Sequence, residues 1–318
     1  MPRDLTLSLV AGLMSSLLFI SVGKLGLIAI ALPYFSILPL MLVGLAKGLF
    51  CAILATAIAI FIVLIVDGFL FSIVHLLAIA IPAVAITRQA LFLTNAEKET
   101  KWQPQDRSLV SIVALACTYF IIAATLLSIE EPGIIYSIEQ FLWRGAEFML
   151  DDPSGREGEQ FIQSLAYAFP AILSTLWAIM VVVNAVLAQG ILVRCGANIR
   201  PSPNLSEMTV STYLVIPLAL SVAAALMPNT IGFIGTGLAA IFCIPYFFLG
   251  LAVIHVVSRS WPLRGLLLGL VYVVVGLSWL SLEVWAALFV VTLGTLEQWV
   301  GIRARSLSLN NHSNNPLG

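Results

Sequence analysis

Three polar side chains lie where an otherwise apolar chain could bind a solute. Asp67 is in the turn VDGFLF, His75 follows it by eight residues, and Lys24 is in a second turn, VGKLG. A carboxylate, an imidazole and an ammonium group can together hold a small polar molecule. Because an ionisable side chain is costly inside a bilayer, it usually marks a functional site there. In the alternative interpretation, Lys24 and Asp67 face lipid headgroups, and His75 hydrogen-bonds to a neighbouring carbonyl group.

A second set of candidates comes from an acidic stretch, residues 128–160, between two long apolar regions. Apolar side chains recur there every three or four residues, which predicts an amphipathic helix over about 133–150. It is too short and too charged to span a bilayer, so it lies flat on the outer surface or folds over the bundle as a lid. As a lid, it would place Trp143 and Arg144 above an outward-facing cavity lined by the three polar residues described above.

The composition indicates which elements position these residues. Of 318 residues, 60% are apolar and 10% are charged, and the mean hydropathy is +1.05. A soluble domain carries charge on roughly a quarter of its residues, so this chain could not cover a water-facing surface. Apolar stretches near the ~20 residues that cross a bilayer recur between Leu5 and Val300. The sequence therefore predicts an all-α fold, a polytopic transmembrane helical bundle with the lipid bilayer as its main partner.

We expect about eight to ten spans, and the preferred placement has ten. Ten crossings return the C-terminus to the side of the N-terminus. The last two spans are short and could instead form one long helix or a re-entrant hairpin. The predicted spans are at about 5–23, 25–45, 48–66, 69–87, 109–128, 162–193, 209–227, 230–257, 263–281 and 284–301.

The distribution of basic residues predicts the orientation. With a cytoplasmic N-terminus, twelve of the 15 Lys and Arg residues fall in inner loops, and Lys24, Arg144 and Arg156 fall in outer loops. Such an excess follows the positive-inside rule. Both termini are therefore predicted to be cytoplasmic.

Two polar segments divide the chain. Residues 1–88 are predicted to form a front four-span bundle, and 89–108 a cytoplasmic linker. Residues 109–305 form a rear bundle that includes the external amphipathic helix. The tail, 306–318, is polar and rich in asparagine, and we expect it to be disordered.

The first span carries a face of small residues in the segment SLVAGLMSS. Small side chains four residues apart allow two helices to approach closely. The face packs within the chain or contacts a partner helix, and we favour packing within the chain. Its members are Ser8, Ala11, Gly12, Ser15 and Ser16.

Motifs for catalysis and cofactor binding are absent from the sequence. It contains no G-x-S-x-G, H-E-x-x-H or G-x-x-x-x-G-K segment. Its cysteines stand singly in apolar segments, which predicts buried free thiols rather than disulfides or metal ligands. We expect no enzymatic activity, no cofactor, no metal site and no nucleic-acid partner. The cysteines are Cys51, Cys117, Cys195 and Cys243.

Near the C-terminus, the segment TLGTLEQWVGIRAR places Glu297 in an apolar run. Trp299 fits an interfacial anchor and Arg303 fits the inner headgroup layer. Arg303 lies six residues beyond Glu297, outside the i,i+4 geometry of a local helical pair. The predicted partner of Glu297 is therefore an arginine of a neighbouring inner loop, such as Arg194 or Arg259. We interpret Glu297 as a clamp at the end of the bundle.

The same segment resembles the closing motif of the bacterial membrane proteins grouped as domain of unknown function 2232, in which a glycine precedes an acid, an aromatic and a basic residue. Gly294, Glu297, Trp299 and Arg303 occupy these places, with glutamate where that family more often has aspartate. The small-residue first span and the proline-broken segment LPYFSILPLMLVGLAKG also fit. The resemblance covers most of the chain through short motifs.

That family is usually grouped with the substrate-binding S components of energy-coupling-factor vitamin transporters. The resemblance implies a helical bundle in the bacterial inner membrane that binds a small solute in an outward-facing pocket. It also implies docking on a transmembrane coupling subunit through small-residue helix faces. Ten spans are more than those components have. The alternative function is a non-transporting scaffold or accessory subunit that binds another membrane protein.

Overall fold

The computed structural model describes residues 2–21, 32–96, 99–102, 106–129, 134–146, 155–201, 207–280 and 284–306, and residue 308. These residues are helical almost throughout, because a helix satisfies its backbone hydrogen bonds within one segment and needs no water. The α-helices are α1 (Pro2–Ile20), α2 (Ile37–Lys47), α3 (Leu49–Val66), α4 (Phe69–His75), α5 (Ile81–Ala90), α6 (Asp106–Ile129), α7 (Ile134–Ala146), α8 (Arg156–Arg194), α9 (Val215–Ala225), α10 (Asn229–Val257), α11 (Arg264–Leu280) and α12 (Trp285–Val300).

Shorter elements connect some of these helices. A π-helix, Leu76–Ala80, makes α4 and α5 continuous, and 3₁₀ turns are at Leu32–Phe35, Thr212–Leu214 and Ser258–Ser260. Between α5 and α6, β1 (Leu93–Ala96) and β2 (Glu99–Trp102) form an antiparallel hairpin. The all-α prediction did not include this hairpin, which lies within the predicted linker 89–108.

Every predicted span coincides with an apolar helix. Six helices are long and apolar enough to cross a membrane, and four shorter apolar helices match the remaining predicted spans, so the described chain is consistent with a multi-pass membrane protein. The long ones are Arg3–Ile20, Leu49–Val66, Phe69–Ala90, Asp106–Thr125, Ala171–Arg194 and Asn229–Ser260. The shorter ones are Leu32–Lys47, Thr212–Ala225, Arg264–Ser278 and Trp285–Val300.

Large apolar side chains face outward along these helices. Phe61, Phe69 and Leu220 are 62%, 73% and 67% exposed. Apolar exposure on this scale indicates a surface that contacts lipid or another protein rather than water. It agrees with the composition, which leaves too few charged residues to cover the chain.

The chain divides into two compact units. Unit 1 comprises Met1–Leu115 and Leu176–Pro203, and unit 2 comprises Ala116–Thr175 and Asn204–Gly318. Unit 1 contains the predicted front bundle and the linker, together with parts of α6 and α8. Of the predicted tail 306–318, only Ser306 and Ser308 are among the described residues.

In unit 1, two contacts show that the first helices alternate in direction, as the first predicted spans require. Lys47 Nζ lies 3.7 Å from Asp4 Oδ1, so α1 begins where α2 ends. Farther along α1, Gly12 lies against Ala55 of α3. Because α3 starts directly after Lys47, these two contacts show that α1 and α3 run in the same direction.

Unit 2 differs from the predicted alternation at its last helix. Gly250 of α10 lies against Val290 of α12, whereas Gly294, one turn later in α12, lies against Tyr246, one turn earlier in α10. The two helices therefore run antiparallel. Ten alternating spans, with both termini cytoplasmic, require α10 and α12 to run in the same direction, so that prediction is wrong for this pair. The prediction had left these last two spans open, and α11 and α12 have only 17 and 16 residues, fewer than the ~20 that cross a bilayer.

Candidate functional site

His75 is fully buried in unit 1, at the end of α4. Its Nε2 lies 3.3 Å from Ser15 Oγ of α1, and the Phe19 ring meets the imidazole edge-on at a centroid distance of 5.0 Å. Its other ring nitrogen, Nδ1, is buried without a hydrogen-bond partner in the described part of the chain. Because a buried polar atom normally has a partner, this nitrogen needs an explanation.

The backbone next to His75 is also irregular, and Pro82 explains why. A proline has no amide hydrogen, so Pro82 cannot donate to the carbonyl four residues earlier, that of Ala78. The Ile81 amide instead donates to Leu76 O, which closes the π-helix. Trp177 Nε1 donates to the freed Ala78 carbonyl at 2.9 Å and so ties α8 to this segment. Single π-turns occur frequently at functional sites.

The small-residue face of α1 forms the wall beside His75. All five of its members are buried. A Cβ added at Gly12 would lie 2.6 Å from Ala55 O, so only glycine allows α1 and α3 to pack this closely. The face therefore packs within unit 1, and Ser15 on it contacts His75 directly.

Of the other four pocket candidates, one ends a helix of unit 1, two belong to unit 2 and one lies outside the described residues. Asp67 caps the end of α3, and its amide donates to Val63 O at 2.9 Å. Lys24 lies outside the described residues. Trp143, half-buried, and Arg144, exposed, belong to α7 in unit 2. The pocket predicted from all five residues stays a prediction, and the described contact is between His75 and Ser15.

The predicted amphipathic segment, 133–150, contains a helix, α7, and its residues 133 and 147–150 lie outside the described part. Ile138 is buried on its apolar side. The Phe141 ring lies 5.9 Å from that of Phe169 in α8, centroid to centroid. In unit 2, α7 therefore packs against the first half of α8 through its apolar side chains.

A cleft of about 290 Å³ opens at the opposite end of α5. We call it the arginine cleft. Arg88, in the last turn of α5, and Arg107, in the first turn of α6, contribute its two guanidinium groups. In the sequence, Arg88 and Arg107 counted only among the twelve basic residues that predict the orientation. Their positions at the two ends of the linker between α5 and α6 were the available signal. The lining residues are Ala85, Arg88, Gln89, Phe92 and Arg107.

Further polar groups hold this end of unit 1 together. Gln89 Nε2 donates to Ser111 Oγ and joins α5 to α6. Arg200 Nη1 donates to Ala90 O at 3.3 Å, which brings a third guanidinium to the last turn of α5. Burial of Arg200 lowers its pKa from the usual value, because desolvation disfavours the charged form.

At the C-terminal motif, Glu297 pairs with Arg303 and not with a neighbouring loop. Arg303 Nε donates to Glu297 Oε1 at 2.8 Å, and its backbone amide donates to Oε2 at 3.2 Å. Gly301 has φ 63° and ψ 45°, a left-handed conformation that ends α12 and turns the chain back. The prediction of Arg194 or Arg259 as partner is wrong, because it assumed that the helix continued to Arg303.

Two other residues of this motif have separate positions. A Cβ added at Gly294 would lie 1.9 Å from Tyr246 O, so Gly294 is needed where α12 crosses α10. Trp299 is 62% exposed, as suits an interfacial anchor.

Among the cysteines, Cys51 is buried and Cys117 and Cys243 are half-buried, but Cys195, directly after α8, is exposed. The expectation of a buried thiol is wrong for Cys195.

The chain matches no protein-family model, no curated protein and no solved structure.

Proposed function

We propose that the chain is a non-enzymatic multi-pass protein of the bacterial inner membrane, with a cytoplasmic N-terminus, whose unit 1 binds a small solute from outside. In this role it is similar to the S component of an energy-coupling-factor transporter and acts with a transmembrane coupling subunit. The observation that supports the proposal is that Nδ1 of His75 is buried inside an apolar helical unit and has no hydrogen-bond partner among the described residues. Ionisable residues within membrane spans commonly lie on solute pathways.

The surroundings of His75 indicate how a solute reaches it. Ser15 and Phe19 enclose the imidazole, so α1 must shift to admit a ligand. The adjoining π-helix is a point where the backbone hydrogen bonding of the span already departs from the regular pattern. A solute that offers a hydrogen bond to Nδ1 removes the cost of leaving that nitrogen unpaired.

Native mass spectrometry of the full chain, purified in mild detergent, tests this proposal. A retained molecule of low mass is expected in the wild type and in His255→Asn, and is expected to be lost in His75→Asn. His255 is the matched control, because it lies in unit 2 and is bonded to Tyr272. Equal retention by both variants, or no retained molecule in the wild type, contradicts solute binding at His75.

The scaffold function has its own supporting observation in α11. Leu266, Leu270 and Leu277 are 72%, 61% and 58% exposed. Added Cβ atoms at Gly265 and Gly269 would meet nothing within 4 Å. An apolar helix with open small residues can receive a partner helix. The same mass spectra distinguish the two functions, because a scaffold retains a stoichiometric protein subunit and no solute.

A further inference from the structure

The arginine cleft concentrates positive charge between two helices of unit 1. Arg88 and Arg107 are both exposed, and neither makes an ion pair with another described residue. None of the described residues that line the cleft carries a carboxylate. The nearest acid in sequence, Asp106, uses its carboxylate to accept the backbone amide of Arg107 at 2.8 Å. Two convergent guanidinium groups without acids are suited to an anion, and to phosphate most of all.

The neutral lining residues narrow the choice of anion. Gln89 donates its amide nitrogen to Ser111, which leaves its Oε1 buried and without a partner in the described chain. That oxygen can accept a hydrogen bond, which a hydroxyl group of a ligand would donate. Phe92, 48% exposed, supplies an apolar wall. A ligand that satisfies all three features has a phosphate, a hydroxyl group and an apolar part.

The position of the cleft indicates a membrane interface. It opens where the apolar helix Phe69–Ala90 ends and the polar linker begins. Basic pockets between spans at the cytoplasmic side are known binding sites for anionic lipid headgroups.

We propose that the arginine cleft binds a hydroxyl-bearing phosphate ester, with Arg88 and Arg107 on the phosphate and Gln89 Oε1 accepting the hydroxyl. The headgroup of phosphatidylglycerol and free glycerol 3-phosphate both carry the phosphate and the hydroxyl groups, and in the lipid the acyl chains supply the apolar part.

The test uses delipidated, full-length protein and native mass spectrometry. The protein is titrated in separate arms with phosphatidylglycerol, with phosphatidylcholine and with glycerol 3-phosphate. Phosphatidylglycerol is expected to bind more tightly than phosphatidylcholine. Removal of each arginine is expected to weaken its binding about fivefold, and Arg88→Ala/Arg107→Ala about 25-fold. If glycerol 3-phosphate binds and displaces the lipid, the free ester is the ligand; if it does not, the lipid is.

Matched variants separate the cleft from general surface charge. Arg194→Ala removes an exposed arginine of unit 1 that does not line the cleft, and it is expected to leave binding unchanged. Gln89→Leu is expected to weaken phosphatidylglycerol binding but not binding of phosphatidic acid, whose headgroup has no hydroxyl-bearing glycerol. If the double variant does not remain monodisperse, Arg88→Gln and Arg107→Gln are measured singly. Equal binding of phosphatidylglycerol and phosphatidylcholine, or an equal loss in Arg194→Ala, overturns the proposal.

Discussion

The Glu297–Arg303 pair should stabilise the C-terminal end of α12 by an amount that can be measured. The side chains are 6% and 11% exposed, and two hydrogen bonds join them. Removing one partner of such a buried pair costs about 3–5 kcal/mol, because the other charge stays buried and unpaired. Since the pair lies at a helix end, where the remaining side chain can turn towards water, we expect about 3 kcal/mol for Arg303→Ala.

A double-mutant cycle isolates the pair itself. We expect Glu297→Gln and Arg303→Ala each to lower the free energy of unfolding, and the double variant to lose about 2 kcal/mol less than their sum. The assay is unfolding in mixed dodecyl maltoside and dodecyl sulfate micelles, followed by far-UV circular dichroism. Arg305→Ala is the matched control, because Arg305 is exposed, and surface substitutions change stability by about 0.5 kcal/mol at most.

Two results would refute this reasoning. One is an Arg303→Ala variant as stable as Arg305→Ala, which would mean that the carboxylate of Glu297 has another partner. The other is full additivity of the two substitutions, which would mean that the side chains do not interact.

Two further predictions concern the packing of α12 against α10. Gly294→Ala should destabilise the protein by at least about 1–3 kcal/mol, because its Cβ would overlap Tyr246 O. Gly276→Ala, where nothing lies within 4 Å, should be neutral or stabilising by up to ~1 kcal/mol in the same unfolding assay; equal effects would contradict the crossing. Because Gly250 lies against Val290 and Tyr246 against Gly294, a cysteine at Ala287 should cross-link on oxidation to Val253→Cys, three residues beyond Gly250. It should not cross-link to the native Cys243, three residues before Tyr246, and a cross-link to Cys243 would contradict the antiparallel pair.

Hydropathy was sufficient to locate the helices, because a segment that crosses a bilayer needs about 20 apolar residues and must satisfy its backbone hydrogen bonds within a helix. It was not sufficient for their directions. Alternation holds for α1 to α3, although α2 has only 11 residues, because Lys47 at the end of α2 pairs with Asp4 at the start of α1. It fails at α12, because α11 is short and exposed, and the sequence does not show which side of the membrane a short apolar helix returns to.

The site was only partly predictable for a similar reason. His75 could be selected as an ionisable group within a span, but its contact with Ser15 depends on the packing of α1. The π-helix follows from Pro82, a local signal that was available in the sequence. The Glu297–Arg303 pair was not predicted, because Gly301 was not recognised as a left-handed helix end. The turn at Gly301 brings Arg303 back to Glu297, six residues earlier in the chain.

The account depends most directly on its predicted membrane topology. It requires α7 to be outside the cell and the end of α8 to be in the cytoplasm. A variant that retains only the exposed native Cys195 is compared with Glu139→Cys in a cysteine-free chain, with a membrane-impermeant thiol reagent on intact cells. We predict that position 139 is labelled at once and that Cys195 is labelled only after permeabilisation. Labelling of both positions from the same side would contradict the account.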